Sequence, residues 1–159
     1  MRRRTIAGLG LFCLLAACAQ QAGSPTAPAM AWSLNHAEGE GAKLAFGEPD
    51  SDNLLLMMTC QARSGEVMVT VAAPENRPAH AIELKSNDRT TRLPGQIVPA
   101  MAEGEALIEA QTPATNPTLA NFARTGDLSI RGDGSTAKLP VRTGERQVVR
   151  NFLATCRAA

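Results

Sequence analysis

The stretch Leu54-Leu-Leu-Met-Met-Thr-Cys60 is the most hydrophobic segment beyond the N-terminus, and it limits the fold more than any other feature. So short a continuous apolar run, bounded by turn formers, predicts a strand buried on both faces. Six residues later Glu66-Val-Met-Val-Thr-Val71 alternates, placing Val67, Val69 and Val71 on one face. Ser64-Gly65 between the two runs is a hairpin signal. An antiparallel sheet is therefore expected at the centre of the chain.

Strands are expected on both sides of this hairpin. Trp32–Asn35 and Ala42–Phe46 alternate with period two and flank a turn over 37–41, and 47–53 is a loop rich in turn residues. Ala79–Leu84 and Arg89–Leu93 flank a turn at Ser86-Asn87-Asp88. Glu105–Gln111 suits strand or helix, with strand favoured, and Thr112–Thr115 reads as loop. Asn116-Pro117 has the form of an N-cap followed by proline at the first helical position, and Gly126 stands where a C-terminal cap belongs. Asp127–Arg131 and Ala137–Val141 flank Gly132-Asp133-Gly134, a second hairpin signal. From Glu145 to Cys156, residues Val148, Val149, Phe152, Leu153 and Cys156 make one apolar helical stripe. The expected class is α+β: an antiparallel sheet or partial barrel of short strands, with a short helix near 117–125 and a C-terminal helix near 145–156.

The N-terminus has a different character. Arg2, Arg3 and Arg4 precede an uncharged apolar run from Thr5 to Ala17. Its thirteen residues fall short of the about 20 that a spanning helix needs, so the run reads as an export signal. Leu15-Ala16-Ala17-Cys18 resembles the lipobox of bacterial lipoproteins. That resemblance implies that the Cys18 thiol receives a diacylglyceryl group, that residues 1–17 are removed as a signal peptide, and that the new amino terminus is acylated. An ordinary signal peptide cut nearby, for instance after Ala19, is the alternative. Ala19, where an Asp would favour retention at the inner membrane, implies by the same resemblance an outer-membrane lipoprotein facing the periplasm. Residues 18–31 read as a lipidated flexible tether, small, polar and proline-containing. Residues 32–159 make up one domain.

Cysteine arithmetic follows from that resemblance. With Cys13 removed and Cys18 acylated, Cys60 and Cys156 are left as a pair in an oxidising compartment, where a disulfide bond is expected and two free buried thiols are the alternative. The run Leu44–Asp52, the strand ending in Cys60 and the closing Phe152-Leu-Ala-Thr-Cys156 resemble a pattern in small exported bacterial proteins of unassigned function. No activity comes with that pattern.

Composition narrows the function. Without residues 1–17, Lys+Arg falls from 16 to 13 against 15 Asp+Glu, a net charge of −2, so no nucleic acid is expected as partner. Trp32, Phe46, Phe122 and Phe152 are the domain's only aromatics, too few for a stacking platform. Nucleophile-elbow, zincin, P-loop and paired CxxC patterns are absent. His36 and His80 are the candidate bases, and both read as lone surface histidines. Met57, Met58, Met68 and Met101 suggest copper, but Met57 and Met58 point to opposite faces of one strand and all four suit core packing. Asp50 and Asp52 begin like a calcium loop without its glycine or distal glutamate. No catalytic residue, metal or cofactor is expected.

Charge placement is the remaining clue. Glu38, Glu40, Glu48, Asp50 and Asp52 face only Lys43 between 38 and 52, a net of −4. Lys138, Arg142, Arg146, Arg150 and Arg157 face only Glu145, a net of +4. Arg142, Arg146 and Arg150 are the candidate site for an anionic envelope component or an envelope protein, set against a plain solvated helix face. Two functions follow: a non-enzymatic, membrane-tethered binding or assembly module, or an inhibitor of a hydrolase such as lysozyme that uses the acidic 38–52 loops.

Overall fold

Alternation in the strands builds one wide apolar surface, and everything else packs onto it. The computed structural model describes residues 29–37, 41–76, 79–100, 104–132 and 135–158. Six strands form the larger sheet: β1 (Ala31–Ala37), β2 (Gly41–Gly47), β3 (Leu54–Cys60), β4 (Glu66–Pro74), β8 (Glu105–Pro113) and β7 (Gln96–Pro99), in that order and all antiparallel. The register aligns Trp32, Phe46 and Leu56 in one row, and Leu34, Leu44, Met58, Val69 and Ala110 in the next. All these side chains are buried except Leu34, which is half-buried.

The second sheet has four strands in the order β10 (Ala137–Lys138), β9 (Ser129–Arg131), β5 (Ala81–Ser86), β6 (Arg89–Pro94). Ile82, Leu84, Leu93 and Ile130 share its inner face and are buried. The chain passes from one sheet to the other at Gly95, between β6 and β7. Gly95 N–H donates to the His80 carbonyl at 3.0 Å, and a Cβ on Gly95 would lie 2.6 Å from Ile108 Cγ2, so any side chain at this corner would force the buried Ile108 to shift. The sheets stay open, with β1 and β7 as the edges of the larger one. The α+β class holds, with strands predominating.

Two helices complete the layer over the apolar surface. In α1 (Pro117–Thr125) the Asn116 carboxamide oxygen accepts from Thr118 N–H at 2.8 Å, and Gly126 adopts φ 75° as its N–H donates to the Phe122 carbonyl. A 3-10 turn, Thr143–Glu145, leads into α2 (Arg146–Cys156), whose Val149, Phe152, Leu153 and Cys156 are buried. Val148 on the expected stripe is only half-buried. Helix α2 packs on β1 and β2, and α1 on β5 and β6. The Cys60–Cys156 disulfide is formed, with Cα atoms 5.6 Å apart, and joins the end of β3 to the end of α2. No helix among the described residues is long and apolar enough to cross a membrane.

Several expectations need correction. Strand β3 is buried on one face only: Leu56, Met58 and Cys60 are buried, whereas Leu55, Met57 and Thr59 are half-buried. A continuous apolar run cannot by itself distinguish the two cases, because the second face needs a covering layer, and none is present among the described residues. Strand β7 was not expected, since Pro94 and Pro99 bracket it; as an edge strand it tolerates them. Strand β8 runs on through Pro113, where a loop was expected, and β1 extends from Ala31 to Ala37, beyond the expected Trp32–Asn35. Strands β9 and β10 are shorter than the segments that predict them. Residues 1–28, including Cys18, lie outside the described residues, as do Glu38, Glu40, Met101 and Asp133.

Candidate binding surfaces

The face of the larger sheet that lies away from the helices is polar at one end. Ser33 and Asn35 of β1 and Lys43 of β2 alternate with the inward Trp32, Leu34 and Leu44, so pleating turns them outward. Together with Ala45 and Leu54 they floor a groove of about 530 Å³. The β2–β3 loop forms its wall, and Glu48, Asp50 and Asp52 stand on it.

This loop is held by its own hydrogen bonds. Glu48 N–H donates to the Asn53 carbonyl at 3.0 Å, and the Ser51 hydroxyl donates to the Glu48 carbonyl at 3.2 Å. The same hydroxyl oxygen accepts from Asn53 N–H at 3.1 Å, while the Asn53 carboxamide donates to Glu48 Oε2 at 3.4 Å. Asp50 takes a left-handed φ of 58°, which Asp tolerates better than most residues. Asp50, Ser51 and Asp52 are exposed. The loop thus presents two carboxylates on a braced frame, at low entropic cost to a partner. Among the described residues no group of three or more His, Cys, Asp or Glu is placed to hold a metal ion.

The basic residues near the C-terminus separate in space. Lys138 lies on β10, in a shallow trough with Glu83, Lys85 and Arg131. Arg157 follows the end of α2. Arg146 and Arg150, instead of standing free on the solvent side of α2, lean toward the C-terminal end of α1. Arg150 Nε donates to the Ala123 carbonyl at 3.3 Å, and the Arg146 guanidinium lies 3.8 Å from where a Cβ on Gly126 would be. Cations there suit the negative end of the α1 dipole. Arg124, next in the chain to Ala123, donates through Nη2 to the Asn121 carboxamide oxygen. All three arginines remain exposed.

Arg142 belongs to a clasp. Its N–H donates to Glu145 Oε2 at 2.9 Å, its Nη1 lies 3.5 Å from Glu145 Oε1, and its Nη2 donates to the Met30 carbonyl at 3.0 Å. Trp32 N–H reaches Glu145 Oε1 at 3.4 Å. The first residues of the folded domain are therefore held against the start of α2, beside the other arginines.

Two buried carboxamides tie α1 to the sheets, the N-cap Asn116 and Asn121, which no sequence motif marks. Asn121 donates to the Ser86 carbonyl at 2.9 Å and to its hydroxyl at 3.0 Å, tying α1 to β5. Asn116 donates to the Thr112 hydroxyl at 2.8 Å and accepts from Thr91 at 3.1 Å, tying α1 to β8 and β6. Both are structural, because their hydrogen-bonding capacity is spent inside the fold. His36 on β1 of the larger sheet and His80 just ahead of β5 of the smaller one are both exposed.

No family model, no curated protein and no solved structure matches this chain.

Proposed function

We propose that the chain is a non-enzymatic envelope lipoprotein, acylated at Cys18, held at the outer membrane facing the periplasm, and presenting its folded domain as a binding or assembly module. The observation that carries the binding reading is the β2–β3 loop, a braced acidic wall beside a polar groove on the exposed sheet face. Support for the anchor comes from the sequence Leu15-Ala16-Ala17-Cys18 and from the small, polar, proline-containing composition of the segment that follows it. Arg142, Arg146 and Arg150 form a second, oppositely charged surface for an anionic envelope component.

The anchor is tested by Cys18→Ser, which removes the acylated thiol. Each buried CH₂ of an acyl chain contributes about 0.8 kcal/mol to membrane binding, so loss of all chains is expected to move nearly the whole population out of an acyl-anchored membrane pool. Mass analysis of the wild-type chain extracted from membranes should find a lipid on Cys18, and a lipid-free residue 18 refutes the anchor. Photocrosslinking from Asn35 or Asp52 in the native envelope identifies the partner of the groove.

A second reading is favoured by the sign of the loop charge. Asp50 and Asp52, exposed on a pre-formed loop, suit insertion into the basic cleft of a hydrolase such as lysozyme. Excess protein is then expected to inhibit lysozyme, and Asp50→Asn with Asp52→Asn should weaken the inhibition about tenfold at low salt. Full lysozyme activity in the presence of excess wild-type protein removes this reading.

A further inference from the structure

We infer that the arginine-bearing helix face docks onto the anionic surface of the membrane to which the chain is anchored, leaving the acidic groove turned away from the bilayer. This rests on the proposed acylation of Cys18 and adds an orientation to it.

Three observations converge. First, Arg142 binds the Met30 carbonyl at 3.0 Å, so the tether meets the domain at the cationic face itself. Second, Arg124, Arg146 and Arg150 cluster around the C-terminal end of α1, and all four arginines are exposed. Two acidic groups stand nearby: one is paired with Arg142 and the other is exposed Asp127, so Arg124, Arg146 and Arg150 together still leave this face net positive. Glu145 is in the clasp with Arg142 and has only 15% of its side chain exposed, and Asp127 accepts from Asn87 N–H at 3.0 Å. Third, the helices cover the Trp32 face of the sheet, as the contact of Trp32 with Phe122 records, whereas Ser33, Asn35 and Lys43 open onto the groove on the opposite face. Positive and negative surfaces therefore lie on opposite sides of the larger sheet, and one orientation brings the arginines to lipid phosphates while holding Asp50 and Asp52 away from them.

The length of the tether makes weak docking sufficient. The segment 19–29, ahead of the clasped Met30, spans at most about 40 Å when extended, at roughly 3.3–3.6 Å per residue. A short flexible link holds its ends at millimolar effective concentration, so an attraction too weak to recruit a free domain still orients a tethered one. A basic side chain near an anionic surface shifts the docked population by about fivefold. Guanidinium forks match phosphate oxygens, and arginines already held by carbonyl contacts lose little freedom on binding.

Trp32, the chain's single tryptophan, is a built-in probe beside this face. The mature protein, extracted from membranes and checked by mass for lipid on Cys18, is reconstituted in vesicles carrying a dansyl headgroup acceptor. Energy transfer from Trp32 is expected to be higher in vesicles rich in phosphatidylglycerol than in phosphatidylcholine alone. The excess should vanish near about 1 M salt, where the screening length is roughly 3 Å. Arg146→Gln with Arg124→Gln should lower the ratio of docked to undocked protein by about 25-fold, at roughly fivefold per arginine. The lipid and salt comparisons use the wild-type chain and so do not depend on how a variant folds. Equal transfer in both vesicles from a lipidated chain overturns the docking alone and leaves the arginines to a soluble anionic partner. A chain without lipid on Cys18 overturns the anchor and the docking together.

Discussion

Replacing both Cys60 and Cys156 with alanine is expected to destabilise the domain by about 4 kcal/mol and to lower its melting temperature by about 15 °C. The two cysteines are 96 residues apart in sequence, and closing a loop of about 100 residues removes chain entropy worth about 4.7 kcal/mol from the unfolded state. Part of the linkage survives without the bond. Arg63 N–H donates to the Thr155 carbonyl and Gly65 N–H to the Cys156 carbonyl, both at 2.8 Å, so the β3–β4 turn still caps the end of α2. Cys156 is fully buried and Cys60 nearly so, which makes the bond slow to reduce until the helix lifts. Thermal melts of the wild type, with and without reductant, and of the double variant make the comparison. A double variant that melts within a few degrees of the oxidised wild type would contradict the entropic account. The reductant should act slowly on the native protein and rapidly near the melting transition.

The parts of this fold that the sequence reveals are those specified within a few residues. Asn116, Pro117 and Gly126 mark the ends of α1 because a cap is satisfied by neighbours two to four positions away. Val67, Val69 and Val71 identify the buried face of β4 because strand alternation is a local rule. What stayed hidden depends on distant partners. Arg150 meets Ala123 and Arg142 meets Met30, and no spacing within α2 encodes either contact. The groove is an intermediate case. Ser33, Asn35 and Lys43 are legible as an outward row, and 47–53 as a loop. Their meeting in one surface needs the β1–β2–β3 register, including the bulge between Phe46 and Gly47 that turns the chain into the acidic loop. The half-exposed outer face of β3 follows from topology too: Met57 and Thr59 belong to a continuous apolar run in sequence, and no third layer among the described residues covers them.

Phe122→Ala is expected to cost about 3–5 kcal/mol, the range for removing a buried aromatic ring. Phe122 has no exposed surface, and its ring lies 5.1 Å from that of Trp32, which in turn lies 5.1 Å from Phe46. The three rings connect α1 to β1 and β2, the elements that carry the clasp and the floor of the groove. Interplanar angles of 43° and 52° are tilted arrangements of the kind aromatic pairs favour over face-to-face stacking. Removing the middle of α1 leaves a cavity that the neighbouring strands cannot close, because hydrogen bonding to both flanks holds β2 in place. Phe122→Leu keeps most of the volume and should cost about 1–1.5 kcal/mol. Trp32 reports the change directly. Its indole packs directly against the Phe122 ring, so losing that ring loosens the surroundings of the indole. The alanine variant should therefore show red-shifted tryptophan emission while still folded, and the leucine variant should not. A loss below about 1 kcal/mol would mean that the α1–β1 contact is not the packing centre that the three rings indicate.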